Sequence, residues 1–213
     1  PAVALGAAAA RGAAAARPTS VKARAMETAG RFEAAHLLEP GVVGAYLDRL
    51  AVRPEVKSAE ARALLERART SEIGDLVVSD ALAAEAPVAA PFLRGLTLLA
   101  QGKLDPAAQA FRAAMRAGSD FYPAMIYLGA CYAAGGQHKE AAGAWRTALI
   151  REGDSVRVHL LLADALLRTG RGDLALQALE RARARWPEDQ ELTRRYAAAA
   201  IATGLYAQGL EVM

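Results

Sequence analysis

The C-terminal half of the chain repeats one pattern of small, large and glycine positions every 34 residues. The glycines of this pattern are Gly102, Gly136, Gly170 and Gly204. Small residues stand seven positions before each glycine and five positions after it. Nine positions after each glycine the side chain is large and apolar, as in Phe111, Trp145, Leu179 and Met213. A fixed period of this length predicts tandem copies of one unit of supersecondary structure.

Each unit is predicted to be a pair of antiparallel helices joined by a turn at the repeated glycine. Glycine adopts the positive φ that ends a helix with little strain, which explains its place at the turn. Small residues such as Gly129 and Ala141 let the two helices approach closely, and the large residue fills the space next to the following pair. The pattern therefore predicts an all-α fold.

The period and the pattern of small and large positions resemble the tetratricopeptide repeat. The best match, residues 122–155, carries Leu128, Gly129, Tyr132, Gly136, Ala141, Trp145 and Ala148. We predict units at residues 88–121, 122–155, 156–189 and 190–213, the last of which stops inside its second helix. The resemblance implies a right-handed α-α superhelix of antiparallel helix pairs. It also implies a non-catalytic scaffold for protein–protein interaction.

Residues 1–87 fit the repeat poorly and are predicted to be organised differently. Residues 1–20 read as an Ala-rich linker or a frayed helix, and residues 21–87 as irregular helical hairpins or degenerate repeats. We expect helices at residues 21–38, 41–52, 54–69 and 71–86. Pro40 and Pro54 mark two of the breaks between them.

The composition favours closely packed helices and gives no sign of a nucleic-acid-binding domain. Of 213 residues 54% are hydrophobic, many of them alanine, and only 6% are aromatic. The net charge is +3, and only four of the 26 basic residues are lysines, which is typical of a GC-rich bacterial genome. We therefore expect a bacterial protein, cytoplasmic or periplasmic. Because the chain does not begin with Met, we also expect it to be part of a longer protein.

Candidate chemistry is sparse along the chain. The single cysteine, Cys131, lies within a predicted helix and is expected to be a buried thiol. The three histidines lie far apart, and the pair Glu33 and His36 lacks the further ligands of a metal site. No apolar run reaches the roughly 20 residues of a membrane span. We expect no catalytic residue, no metal, no cofactor and no membrane span.

The first helix of each unit is expected to line the concave groove of the superhelix, where this family binds its partners. The groove candidates are Phe92, Leu96, Leu99, Ile126, Ala130, Leu160, Asp164, Leu167 and Arg168. Such a groove either receives an amphipathic helix or apolar segment of a protein partner, or is filled by residues 1–87 or by self-association. The pattern leaves these alternatives open.

Two further functions remain as alternatives to a partner-binding scaffold. The arginines Arg181, Arg185, Arg194 and Arg195 are a candidate basic face for nucleic acid or an acidic partner. A solvated helix end is the favoured interpretation, since few aromatic residues accompany them and nucleic acid is an unlikely ligand. The second alternative is that the chain is an accessory repeat domain of a larger multidomain bacterial enzyme or secreted protein.

Overall fold

The computed structural model describes residues 37–70, 73–152 and 155–211, and this part of the chain contains helices and no strands. A single 3-10 turn, Ile73–Asp75, lies between the second and third helices. The eleven helices of the described residues are α1 Pro40–Ala51, α2 Ala59–Thr70, α3 Ala81–Glu85, α4 Ala89–Ala100, α5 Leu104–Ala117, α6 Pro123–Ala134, α7 His138–Glu152, α8 Val156–Arg168, α9 Gly172–Arg185, α10 Gln190–Ala202 and α11 Tyr206–Glu211.

Helices α4 to α11 form four successive hairpins, here called units 1 to 4. The four repeated glycines join the two helices of each hairpin, with φ of 75° at Gly102, 84° at Gly136, 73° at Gly170 and 85° at Gly204. They are the only residues with positive φ in the described chain. The predicted fold class, an all-α solenoid of antiparallel helix pairs, is confirmed.

Small and large positions of the repeat contact one another inside the hairpins of units 1 and 2. A Cβ atom added to Gly95 would lie 2.6 Å from the ring of Phe111, and one added to Gly129 would lie 2.5 Å from the Trp145 indole. The indole Nε1 of Trp145 also donates a hydrogen bond to the carbonyl of Ile126 at 3.0 Å. The missing side chain is therefore what allows the large ring to seat against the first helix.

The core is one continuous apolar cluster that extends from Leu37 to Ala200. In unit 1, the ring of Phe92 lies 5.8 Å from Phe111 and 5.4 Å from Tyr127, both edge-on. Phe111 and Tyr127 stack with their ring centroids 5.5 Å apart. Because Tyr127 belongs to α6, these rings join unit 1 to unit 2, and the same cluster also includes α1 and α2.

The predicted helix at residues 71–86 is not formed. After the 3-10 turn, residues 76–79 have no regular secondary structure, and only the short α3 is helical. Leu76 is buried, whereas Val77 is 75% exposed. Two side chains bind the backbone of this region: Gln101, at the C-terminal cap of α4, donates to the carbonyl of Gly74 in the 3-10 turn at 2.8 Å, and Arg94 of α4 donates to that of Val78 at 3.2 Å.

Two of the other helices predicted in the N-terminal region can be compared with the structure. The helix expected at residues 41–52 is α1, shifted by one residue at each end. The helix expected at residues 54–69 begins only at Ala59, because Pro54 and its neighbours form a turn. The linker at residues 1–20 and nearly all of the helix expected at residues 21–38 lie outside the described residues.

Candidate partner-binding groove

The face formed by the first helices of the units is here called the inner face, and the α1 region contacts two of these helices, α6 and α8. The hydroxyl of Tyr127, on α6, donates a hydrogen bond to the carbonyl of Leu37 at 2.5 Å. The Tyr46 and Tyr127 rings meet edge-on, with centroids 5.8 Å apart. At one end of α1 Glu39 lies 3.7 Å from Arg157 of α8. The helix therefore reaches unit 3.

The other end of α1 is fixed at the turn between units 1 and 2. The Arg53 guanidinium makes two hydrogen bonds to the Asp120 carboxylate, at 2.9 and 3.0 Å, and a third to Glu55 at 2.5 Å. The hydrogen bond from Arg53 holds the pKa of Asp120 below its ordinary value. This pairing of ends places α1 in a defined direction along the inner face.

The predicted groove residues of units 1 and 2 are buried in the folded chain. Their exposed fractions lie between 0% and 4%, and all belong to the common apolar cluster. They are Phe92, Leu96, Leu99, Ile126 and Ala130. The 3-10 turn and helices α2 and α3 pack against α4, so part of the chain's own N-terminal region lies against unit 1. A partner reaches these side chains only if that packing opens.

Among the described residues, a cleft of about 580 Å³ lies on the inner face of units 3 and 4, between α8 and the start of α10. Leu160 and Asp164, both predicted groove residues, line this cleft. Its remaining lining residues are Val156, Arg157, Leu161, Asp189, Glu191 and Arg195. Leu167 is half-buried and Arg168 exposed, one helical turn further along α8.

The cleft has an apolar floor and a charged rim. Leu161 and Val158 of α8 are buried, whereas Leu160 is partly exposed to the cleft. At the rim Arg168 donates to Asp164 at 2.6 Å, and Arg195 donates to Glu191 at 2.7 Å. These ion pairs are well exposed, so each stabilises the fold by about 1 kcal/mol or less and can exchange partners.

Asp189 is a cleft residue that the sequence pattern missed. Its carboxylate accepts a hydrogen bond from the backbone N–H of Leu192 at 3.0 Å, so it caps the N-terminus of α10. Asp189 lies in the connection between units 3 and 4 and not on a helix facing the groove. The spacing Asp-x-x-Leu before an apolar helix is the signal that could have placed it.

The arginines of the candidate basic face lie on two helices, α9 and α10. Arg194 and Arg195 both pair with Glu191, at 2.9 and 2.7 Å, and Arg195 faces the cleft. Arg181 and Arg185 are exposed on α9, one helical turn apart. Two of the four arginines are therefore paired with the carboxylate of Glu191.

Tyr196 joins α10 to α9 beside these arginines. The Arg183 guanidinium lies 4.7 Å from the centre of the Tyr196 ring, and the Tyr196 hydroxyl donates to Glu180 at 3.1 Å. Burial, together with the hydrogen bond to Glu180, raises the pKa of Tyr196. The contact between the Arg183 guanidinium and the Tyr196 ring therefore adds to the packing of α9 against α10.

Cys131 and His159, two residues whose side chains serve as catalytic groups in other proteins, are engaged in packing. Cys131 is buried, and burial raises the pKa of its thiol to about 12, so the reactive thiolate is scarce at neutral pH. His159 packs edge-on against Trp186 with centroids 6.0 Å apart. Within residues 37–70, 73–152 and 155–211 no three His, Cys, Asp or Glu side chains are grouped to hold a metal. Glu33 and His36 lie outside these ranges.

No helix in the described part of the chain combines the length and the apolar character needed to cross a bilayer. The longest of these helices, α7, has 15 residues and contains several charged side chains.

The geometry defines a class of protein, an α-helical solenoid of paired helices with a partly open inner face. Two tetratricopeptide repeat family models match the chain, one over residues 92–157 and the other over residues 156–199. Together they cover about half of its length, from within α4 of unit 1 to within α10 of unit 4. The chain belongs to the tetratricopeptide repeat family.

A curated protein shares part of this sequence. The Vi polysaccharide export protein VexE of Salmonella typhi is 36% identical over 114 residues. The match covers 52% of this chain and 17% of VexE, so the chain corresponds to a small part of that relative.

Two solved structures share the fold. The structure of MamA from AMB-1 has a TM-score of 0.52 and 16% identity, and the match covers 79% of this chain and 92% of MamA. A thermophilic TPR protein of Thermus thermophilus, TTC0263, has a TM-score of 0.55 and 22% identity, with 84% of this chain and 99% of that protein covered. At these identities the likeness concerns the fold alone.

Proposed function

We propose that the chain is a non-catalytic scaffold that binds a segment of a partner protein in the cleft between α8 and α10. Tetratricopeptide repeat proteins are generally interaction scaffolds, and in the described part of the chain this cleft is a concave site on the inner face. The observation that carries the proposal is the partly exposed Leu160 at its floor, between the charged rims of α8 and α10.

The chemistry of the cleft favours a short amphipathic segment. A volume of about 580 Å³ is within the usual range of binding pockets and accommodates a few side chains. An apolar anchor of the partner would cover Leu160 and Val156. Charged residues beside that anchor would form ion pairs with Asp164 and Glu191 in place of the present ones. This exchange would orient the segment with little net gain in electrostatic energy.

A peptide selection on the purified chain tests this proposal. Peptides selected from a displayed library are measured by fluorescence anisotropy against the wild-type chain and against Leu160→Glu, with helicity checked by circular dichroism. Leu160→Glu should lose most of the binding because it places a charge on the apolar floor. Ile150→Glu is the matched control, since Ile150 is 75% exposed and lies outside the cleft. Equal binding by both variants would refute the site.

A second candidate function is that of an accessory repeat domain in a larger polysaccharide-export protein. The observation that favours it is the 36% identity to VexE over 114 residues. Deleting the coding gene from its native host and staining surface and intracellular polysaccharide tests this candidate. Retention of polysaccharide inside the cell supports it, and unchanged surface polysaccharide counts against it.

A further inference from the structure

We infer that residues 37–39, the segment before α1, regulate the cleft: the carboxylate of Glu39 pairs with Arg157, and a ligand must displace it to place an acidic residue there. This regulation rests on the proposed function, because it acts on the same cleft. It goes further by naming one residue type in the ligand, aspartate or glutamate, and the part of this chain that competes with it.

Arg157 takes part in two contacts at once. It lines the cleft together with Leu160 and Asp164 of the same helix. One of its guanidinium nitrogens also lies 3.7 Å from a carboxylate oxygen of Glu39. The two side chains are 38% and 44% exposed, so both remain in contact with solvent and the pair can be exchanged. A carboxylate that enters the cleft therefore meets an arginine that already has a carboxylate partner.

Two other ion pairs of the cleft are formed within single helices. Arg168 pairs with Asp164 on α8, and Arg195 pairs with Glu191 on α10, each over four positions of its own helix. Such pairs depend only on the helix that contains them. The contact at 3.7 Å, by contrast, joins the cleft to the N-terminal region and exists only while that region is docked. Docking of the segment before α1 therefore changes the charge that the cleft offers to a ligand.

A buried hydrogen bond fixes this segment beside Arg157. The carbonyl of Leu37, two residues before Glu39, accepts the 2.5 Å hydrogen bond from the Tyr127 hydroxyl. Burial raises the pKa of Tyr127 well above its ordinary value, and the positive charge of Arg157 acts in the opposite direction. The Arg157 guanidinium is thus within electrostatic reach of the point where the segment is docked.

These contacts predict a negative coupling between the ligand and the N-terminal region. A ligand carboxylate at Arg157 and the carboxylate of Glu39 exclude each other, so each weakens the binding of the other by the same factor. Because the ion pair is half-exposed, this factor is limited to about two- to fivefold. A ligand without an acidic residue should be indifferent to Glu39.

The test uses the full chain and the peptides that the displayed library yields on the wild-type chain. Each peptide that requires Leu160 is synthesised as selected and in a neutral form, with its Asp and Glu residues replaced by Asn and Gln. Fluorescence anisotropy compares both forms on the wild type and on Glu39→Gln, which removes the charge and keeps the size of the side chain. We expect the acidic form to bind Glu39→Gln about two- to fivefold more tightly, and the neutral form to bind both chains equally.

Two further variants make the test specific, with circular dichroism as the check on folding. Glu66→Gln removes an acidic residue of α2 that lies 3.5 Å from Arg69 and outside the cleft. It changes the net charge equally and should match the wild type. Arg157→Gln should weaken binding of the acidic form and leave Glu39→Gln without effect, so the double variant should bind like Arg157→Gln alone.

Equal binding of the acidic form by the wild type and Glu39→Gln overturns the inference, as does an effect of Glu39→Gln that persists when Arg157 is replaced. Peptides that require Leu160 but contain no acidic residue overturn it as well. All three outcomes leave the cleft as a binding site. If no selected peptide distinguishes Leu160→Glu from Ile150→Glu, the proposed function itself is wrong, and the regulation is overturned with it.

Discussion

The hydroxyl of Tyr127 donates a hydrogen bond to the backbone carbonyl of Leu37, a residue 90 positions earlier in the sequence. Both residues are almost fully buried. The bond joins the chain segment before α1 to the second repeat unit. It therefore marks the point where the N-terminal region and the solenoid become one folded body.

Replacing Tyr127 by Phe should lower the free energy of unfolding by about 1–2 kcal/mol, because it leaves the buried Leu37 carbonyl without its donor. Urea denaturation followed by circular dichroism measures the change. Tyr132→Phe is the control: its hydroxyl accepts from Arg112 at 2.7 Å in an exposed setting, and its loss should cost less than about 0.5 kcal/mol. Equal effects of the two substitutions would show that the buried bond to Leu37 contributes no more to the free energy of unfolding than the exposed bond of Tyr132.

Gly129→Ala should destabilise the protein by about 1–3 kcal/mol, because the new Cβ would lie 2.5 Å from the Trp145 indole. The matched change Gly143→Ala is in the interior of α7, where nothing lies within 4 Å of the added atom. It should be neutral or stabilising by up to about 1 kcal/mol, since alanine favours helix. Thermal unfolding of both variants measures the difference, and a destabilised Gly143→Ala would contradict the packing account.

The ion pair of Arg53 and Asp120 should make stability depend on acidity. The hydrogen bond from Arg53 lowers the pKa of Asp120 in the folded chain, so the ionised carboxylate favours folding. This contribution is present above the ordinary Asp pKa of about 3.9 and is lost as the pH falls through the lower, folded value. Asp120→Asn removes it.

The difference in urea midpoint between the wild type and Asp120→Asn should accordingly be larger at pH 7 than at pH 3. A mainly exposed pair yields a small effect, so both proteins are measured at low ionic strength. If the difference in urea midpoint is the same at pH 7 and pH 3, the prediction is wrong, because the effect of Asp120→Asn then does not come from ionisation of the carboxyl.

Cys131 should react slowly with a thiol reagent in the native protein. Burial raises the pKa of its thiol to about 12, so both the thiolate fraction and access are low at pH 8. In urea, where the thiol returns to its ordinary pKa of about 8.5, labelling should be faster by several orders of magnitude. The rate of reaction with a chromogenic disulfide measures this, and fast native labelling would contradict the buried position on α6.

The four hairpins were predictable because each depends on contacts close in sequence. Gly136 ends α6 with a positive φ, and Gly129 admits Trp145 of the next helix, so both requirements are written within a single 34-residue unit. The same holds for the family resemblance, which uses these positions. Regular helical repeats of this kind fold through neighbour contacts.

The candidate site was only partly predictable. Leu160 and Asp164 line the open cleft as their repeat positions indicate, whereas Leu96 and Ile126 hold equivalent positions and are buried. Asp189 was missed because it enters the cleft from a connection between units. The repeat position of a residue predicts that it lies on the inner face, but it does not show which other part of the chain covers that residue.

Sequence alone thus determined the repeat, its helix pairs and its glycine turns, because those follow from steric rules acting over a few tens of residues. Tertiary structure alone decided where α1 lies and why residues 76–79 are not helical. Arg94 binds the carbonyl of Val78 in that segment, Gln101 binds that of Gly74 just before it, and Tyr46 of α1 packs against Tyr127, which comes much later in the chain. Both outcomes depend on which of several possible long-range contacts has the lowest free energy. The local sequence pattern does not encode that comparison.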